Sequence, residues 1–359
     1  MPRATVAHIH TDNLSHNLGV VRARAPGARV MAVVKADGYG HGLERAALAL
    51  QGADLFGVAA LADAERLRVA GMTQPIVVLS GFDSAEDLPQ LRQLGVDTVV
   101  HSHNQLQMLE ASSSEGTPIR CWLKIDTGMH RLGFAPGDVR GAHARLLAMP
   151  QVAVDIPLMM HFASSDEFDG EQSLRQMRVF EETTSGLPGL RSLANSAAVL
   201  GWPQARADVV RPGGMLYGMS VVTGTTGEDF GLRPGMTLST RLISVNRIAQ
   251  GERIGYSATW ECPEDMPVGV AAIGYGDGYP RLVQPGTPVL VNGRRAPVIG
   301  RVSMDLMTVD LRGQPDARPG DPVVLWGRGL PVDAIGAAAG TIGYELTCSI
   351  TRRVRFVED

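Results

Sequence analysis

Between residue 29 and about residue 214 the chain repeats one pattern: a short apolar run rich in β-branched residues, then a longer stretch with apolar residues three to four apart. There are eight such runs: RVMAVV, DLFGVAA, PIVVLS, DTVVHS, IRCWLKI, VDIPLMM, LRSLA and DVV. Between them lie amphipathic segments such as LERAALALQG, LADAERLRVAG, AEDLPQLRQLG, NQLQMLEASSS and GEQSLRQMRVFEETTSG. Near-continuous apolar runs are strands buried on both faces, and eight β-then-α units favour a closed parallel (β/α)8 barrel of the TIM type over an open doubly wound sheet. GYGHG after the first run has the look of a dinucleotide loop, but its third glycine arrives too early for that fingerprint.

After Gly231 the texture changes to closely spaced strands punctuated by Gly and Pro: MTLSTRLISVNRI, PVGVAAIGYG, TPVLVNGRRAPVIGRV, LMTVDL and DPVVLW. This is the pattern of a mostly antiparallel β-domain. VVTGTTGEDFGLRPG has a linker's composition, so the expected boundaries are a barrel over 8–230 and a mostly β C-terminal domain over 231–359, joined by residues 1–7. The early TVAHIHT is expected to pair with that second domain. The total of 359 residues suits a barrel of roughly 250 residues with a smaller partner.

A net charge of −4 leaves no electrostatic footprint for nucleic acid or an anionic membrane. Cys121, Cys262 and Cys348 are far apart and odd in number, which suggests neither a disulfide framework nor a metal site. The N-terminus lacks an apolar signal core and nothing downstream has the length of a membrane span, so a cytoplasmic protein with a small-molecule partner is expected.

The basic residues are unevenly distributed by type. Of 33 Lys+Arg, only Lys35 and Lys124 are lysine. Arginine cannot lose its proton near neutral pH to become a nucleophilic amine, and lysine can. Both lysines fall at the ends of strand-like runs, where barrel chemistry is found, and not on solvated helix faces. His161, Asn195, Ser196 and Arg211 end other runs. The loops ANSAAVLGW and RPGGMLYG follow the seventh and eighth strands, the usual phosphate position of such barrels. Asn195 with Ser196 is also an ordinary helix cap, and Pro212-Gly213-Gly214 an ordinary turn. A phosphate anchor beside an imine-forming lysine is what pyridoxal phosphate requires.

AVVKADGYGHG, LKIDTGMHRLG, HFASSDE, ANSAA, RPGGMLYG, RIGYSATW, IGYGDGYPR, GRVSMDLMTVDL and TIGYELTCSI, in that order over nearly the whole chain, resemble the pyridoxal-phosphate-dependent alanine racemases of fold type III. The resemblance implies an isomerase using pyridoxal 5'-phosphate, with Lys35 attaching the cofactor and acting as the base on one face of the substrate. Tyr39, Ser196, Gly213, Gly214 and Tyr344 would surround the phosphate, with Asn195 and His161 also at the cofactor, and Arg211 would face the pyridine nitrogen. Tyr256 would be the second base, supplied by the partner subunit of a homodimer with shared active sites. A tyrosine ordinarily titrates near pH ~10, so a basic Tyr256 needs positive charge, expected from His161 and Arg211. Arg131, Tyr275 and Met304, with Asp305 beside it, would border the substrate. Lys124 matches a lysine that carbon dioxide converts to a carbamate, which would hold Arg131 against the substrate carboxylate. No metal is implied.

The sequence departs from the family's commoner pattern at Ser257 and Ala258, at Gly276 where alanine is frequent, and in the tail RRVRFVED. These touch substrate range more than reaction type. The main competitor is a broader racemase acting on serine or basic amino acids. A cofactor-carrying barrel protein would lack the stretch with Tyr256 and Met304, and a decarboxylase of this barrel would place an acid where Arg211 stands. D-alanine made by such an enzyme would serve peptidoglycan synthesis, or the enzyme would degrade it.

Overall fold

The first strand, β1 (Val6–Ile9), lies outside the barrel pattern, and all eight of the apolar runs that follow form strands in a computed structural model that describes residues 4–359. They are β2 (Arg29–Val33), β3 (Leu55–Val58), β4 (Ile76–Val78), β5 (Asp97–Val100), β6 (Cys121–Lys124), β7 (Leu158–Met159), β8 (Arg191–Ser192) and β9 (Val209–Val210). Every ladder between them is parallel, in the order β8-β7-β6-β5-β4-β3-β2-β9. At the remaining seam, between β9 and β8, the Arg211 N–H donates to Ala194 O at 2.8 Å and the Ser192 hydroxyl to Val209 O at 2.7 Å. The barrel is thereby nearly closed.

Seven of the eight strands, all but β8, contribute one residue each to its interior core. Met31, Leu55, Val77, Val99, Trp122, Met159 and Val209 form a single cluster, each at most 2% exposed. Trp122, the largest of them, is fully buried and donates its indole N–H to Asp97 Oδ2 at 2.9 Å. Because strand side chains alternate between faces, residues two further on point into the same interior, one layer nearer the carboxyl ends.

The helical segments expected from three-to-four spacing are present, among them Leu43–Ala49, Leu61–Val69, Asp87–Leu94, His103–Glu110 and Glu171–Thr184. Two more, Thr11–Arg24 and Val139–Ala148, complete the set but have mixed, arginine-bearing faces that obscure the period.

The second unit is built on β10 (Met236–Ile248), β11 (Arg253–Ile254), β12 (Trp260–Glu261), β13 (Met266–Ala271), β14 (Pro288–Val291), β15 (Arg294–Ile299), β16 (Met307–Asp310), β17 (Pro322–Trp326) and β18 (Arg355–Glu358). The main sheet runs β13-β16-β15-β14-β17-β10-β1-β18, and the long β10 also pairs with β13 beyond a bulge near Leu242, so the sheet curls onto itself. All pairs are antiparallel except β1 with β18. Asn292 and Gly293, both at positive φ (51° and 75°), make the two-residue turn between β14 and β15. Two short helices, Val332–Ala338 and Gly343–Cys348, accompany the strands.

The division between the units falls elsewhere than the composition suggests. One unit is Ser15–Leu216 with Val221–Gly224, and the other takes the chain up to Leu14, Tyr217–Ser220 and Thr225–Asp359. A boundary at residue 8 would cut through β1, which pairs over its whole length with β10 and β18. A boundary at residue 230 would sever hydrogen bonds that the linker-like stretch makes to the β-unit: the Asp333 carboxylate accepts the Ser220 and Gly227 N–H groups at 3.1 and 3.2 Å. No helix among the described residues is long and apolar enough to cross a membrane.

Candidate active site

The layer above the barrel's apolar core is cationic. Two residues beyond Trp122 is Lys124, beyond Met159 is His161, and beyond Val209 is Arg211; Lys35 stands four beyond Met31. Lys124 is 8% exposed and its ammonium has no hydrogen-bond partner among the described residues. Burial, with Arg211, Arg131 and Lys35 nearby, pulls its pKa down to about 8. Burial together with Arg211, Lys124, Arg131 and Lys35 holds His161 well below its ordinary value, so the imidazole is neutral. The expected positive charge from His161 is therefore not there: the cation beside it is Arg211.

Arg211 is almost fully buried and stays charged, though burial lowers its pKa to about 10. Nη1 donates to Ser192 O and Ser192 Oγ, both at 2.7 Å. Nη2 donates to Met160 O at 2.6 Å, with Leu193 O at 3.3 Å and His161 Nδ1 at 3.4 Å. The Nε–H is left with no protein partner among the described residues.

The chain after Lys35 takes an unusual course. Ala36, Asp37, Gly38 and Tyr39 all have φ between 52° and 62°, a left-handed turn immediately after the strand. Such a turn costs roughly 1–2 kcal/mol for each non-glycine residue and persists only where its surroundings hold it. Asp37 supplies one restraint: its Oδ1 accepts the Leu43 N–H at 3.1 Å and Arg66 Nη2 at 3.0 Å. Gly38 is required by space as well, since a Cβ there would lie 2.8 Å from Ala46 Cβ. The turn brings the Tyr39 phenol against Gly213, where a Cβ would overlap its oxygen. Ser196 Oγ accepts the Gly213 N–H at 2.8 Å, which leaves its own proton to donate. Tyr39, Ser196, Gly213 and Gly214 thus come together, while Asn195 commits Oδ1 to the cap, accepting from Ala198 N at 3.0 Å and Ser165 Oγ at 2.9 Å.

Arg131 is exposed on a loop that Asp126 organises: its Oδ1 accepts N–H groups of Gly128, Met129 and His130 at 3.0–3.1 Å. Phe134 and Lys124 close the base of that loop through a backbone bond of 2.9 Å. One contributor escapes the sequence reading. Gln176, buried in the helix Glu171–Thr184, donates to His161 O at 3.0 Å and Thr127 Oγ1 at 3.2 Å and accepts from Ala163 N at 2.9 Å. A glutamine on a helix's buried stripe with Phe180 and Thr184 is the one signal that marks it.

The remaining expected residues lie in the β-unit. Tyr256 is 68% exposed on a one-turn helix whose next residues, Ser257 and Ala258, have φ of 64° and 49°. Tyr275 and Met304 are also exposed, and Tyr344 opens the helix Gly343–Cys348 half-buried.

The fold and these residues define a parallel α/β-barrel protein with a lysine and a buried arginine at the barrel's carboxyl end, followed by a β-domain. The chain matches the model of the alanine racemase N-terminal domain over residues 9–221 and that of the C-terminal domain over 235–358. It is 50% identical over 348 residues to the alanine racemase of Shewanella baltica (strain OS185), covering 97% of each chain. It is 47% identical to that of Vibrio cholerae, covering 98% of this chain and 97% of the other. Its fold superposes on the crystal structure of biosynthetic alanine racemase from Pseudomonas aeruginosa with a TM-score of 0.96, at 42% identity and 99% coverage of both. The chain belongs to the alanine racemase family.

Proposed function

We propose that this chain interconverts L-alanine and D-alanine with pyridoxal 5'-phosphate, Lys35 serving one face of the substrate and Tyr256 of the partner subunit the other. The observation that carries the reading is the cationic layer: Lys35, Lys124 and Arg211 gathered around a neutral His161, with Arg131 close enough to act on both Lys124 and His161. A doubly anionic phosphate and a substrate carboxylate are the ligands such a layer suits. The residues fit the cofactor. Gly213, having no Cβ, lets the Tyr39 phenol and Ser196 Oγ approach one stretch of backbone together, and Arg211 keeps one N–H unclaimed.

The cofactor, when bound, supplies the electron sink that makes the hydrogen on the amino acid's α-carbon acidic. Inversion then needs one group to take that proton and another to deliver one from the opposite side. Lys35 Nζ and Tyr256 Oη are the pair. Arg211, held by Ser192, Met160 and Leu193, keeps a fixed cation where a ring nitrogen would sit and so disfavours its protonation. A fixed cation at that place would favour return of the proton to the α-carbon over side reactions.

Lys124 is a buried ammonium whose desolvation and repulsion by Arg211, Arg131 and Lys35 outweigh the attraction of Asp126. With a pKa of about 8, about a tenth of it is neutral amine at pH 7. Attack of that amine on carbon dioxide forms an N–C bond and releases a proton, turning the cation into an anion able to hold Arg131. Protein equilibrated with isotopically labelled carbon dioxide is expected to show a carbamate carbon resonance that vanishes in Lys124→Arg. A spectrum unchanged by that substitution sinks the modification.

Gly213→Ala is expected to weaken cofactor binding by at least about tenfold, because the new methyl displaces the Tyr39 phenol. Titration of apoprotein with the cofactor, followed by its absorbance, measures this; unaltered affinity would move the phosphate site elsewhere.

The overall reading is tested by following loss of optical rotation from L-alanine, L-serine and L-lysine with purified, cofactor-loaded protein. Rapid loss from alanine alone supports an alanine racemase, which would supply D-alanine for peptidoglycan or degrade it. Comparable loss from serine or lysine indicates the broader enzyme, and none from any of the three overturns racemisation.

A further inference from the structure

In the β-unit three segments far apart in sequence meet at one point. The turn Tyr275–Asp277 is bonded to the loop at 303–306 through Tyr275 N–H to Ser303 O at 3.0 Å and Gly276 N–H to Met304 O at 2.9 Å. It is bonded to the segment after the last helix through Thr351 N–H to Asp277 O at 3.2 Å and Thr351 Oγ1 to Gly276 O at 3.0 Å. Arg353 spans the junction with its side chain. Its Nε lies 3.3 Å from Oδ1 of Asp277, a carboxylate with no exposure, and its Nη2 bonds Oδ1 of Asp305. The other Asp277 oxygen accepts the Gly274 N–H at 3.1 Å. A Cβ at Gly276 would overlap Arg353 Nη1 and lie 3.0 Å from Met304 O. Gly276 is therefore the opening through which the guanidinium reaches both loops.

We propose that Arg353 is a positioning residue that fixes Tyr275 and Met304 relative to one another, and that Gly276 is its steric partner. The inference rests on the reading above that Tyr275 and Met304 border the substrate. A planar guanidinium offers donors in a rigid fork and can hold two carboxylates on different loops at once; an ammonium is a single point. The contact to half-exposed Asp305 contributes little to global stability, whereas Asp277 is buried and loses its cation when Arg353 is removed, so a test must separate loosening of the two loops from a loss of folding in the β-unit.

The test uses Arg353→Ala, Arg353→Lys, Gly276→Ala and the double variant Gly276→Ala/Arg353→Ala in the cofactor-loaded enzyme, read by hydrogen exchange and by kinetics. Arg353→Ala is expected to raise exchange several-fold in peptides covering 274–279 and 303–306 while the β-unit peptide covering the hairpin 288–299 and the barrel peptide covering 121–126 are unchanged, which shows that both units of the variant are folded. It is expected to raise KM for alanine about tenfold with kcat within about threefold, the signature of lost substrate positioning. Arg353→Lys should fall between, and Gly276→Ala should shift both readouts as Arg353→Ala does. With no guanidinium to displace, the double variant should be within about twofold of Arg353→Ala alone. Multiplying effects in the double variant, or unchanged exchange at 274–279 and 303–306, would overturn the proposal. A wild-type enzyme that fails to racemise alanine would instead overturn the functional reading, while the exchange readout still decides whether Arg353 joins the two loops.

Discussion

Racemisation is expected to vanish in Lys35→Ala, to fall about a hundred- to ten-thousand-fold in Tyr256→Phe, and to return when the two inactive chains are combined. The return follows from shared sites. If each site takes Lys35 from one subunit and Tyr256 from the other, a hybrid dimer holds one site with both bases intact and one with neither. Random pairing makes half of all dimers hybrid, so recovered activity should approach about a quarter of wild type. Co-expression with two affinity tags isolates the hybrid, and racemisation of L-alanine measures it. No recovery would mean that each chain supplies both bases to its own site or that the dimer does not form. The two bases also differ in what they leave behind. Tyr256→Phe retains Lys35, so one enantiomer of alanine should still exchange its α-hydrogen with deuterated solvent without inverting, and mass spectrometry reads that exchange. Equal exchange of both enantiomers would point to a single base.

Arg211→Ala is expected to destabilise the barrel by about 2–3 kcal/mol, because it takes a charged donor away from buried carbonyls. Arg211 is bound at its Nη atoms by Ser192 O and Oγ, Met160 O and Leu193 O, all at the carboxyl ends of β7 and β8. Its backbone N–H crosses the β8–β9 seam, where no ladder forms. Truncation takes the guanidinium from Met160 O and Leu193 O and leaves Ser192 O only the Met160 N–H, where the barrel is least hydrogen-bonded. Arg211→Lys should cost less, because one ammonium serves some of those acceptors, but not all. Urea unfolding followed by Trp122 and Trp202 fluorescence reports the change through its midpoint. A shift below about 1 kcal/mol would show that water or strand movement satisfies those carbonyls.

Much of the barrel is legible in the sequence because its strands are buried on both faces, and burial forces continuous apolar runs. The eight runs are the eight strands, and TVAHIHT joins the β-unit as expected. The helices Thr11–Arg24 and Val139–Ala148 escape notice because their outward faces carry arginine and small residues that blur the period. The domain boundary is displaced for a different reason. Residues 217–230 have a linker's composition, yet Asp333, more than a hundred positions later, holds Ser220 and Gly227 through their backbone.

The same distinction runs through the site. The scarcity of lysine and the placing of Lys35, Lys124, His161 and Arg211 at strand ends are properties of the sequence, and a period of two then directs three of them into one barrel interior. That His161 is neutral, that Gln176 braces it, that Arg211 keeps one N–H unclaimed, and that four residues after Lys35 turn left-handed are decided by tertiary structure alone. Desolvation and hydrogen bonding depend on which atoms surround a group, and the atoms around these come from segments 15 to 51 residues away. Periodicity and residue chemistry are local and can be read along the chain; the electrostatic state of a buried group is a sum over neighbours that only folding assembles.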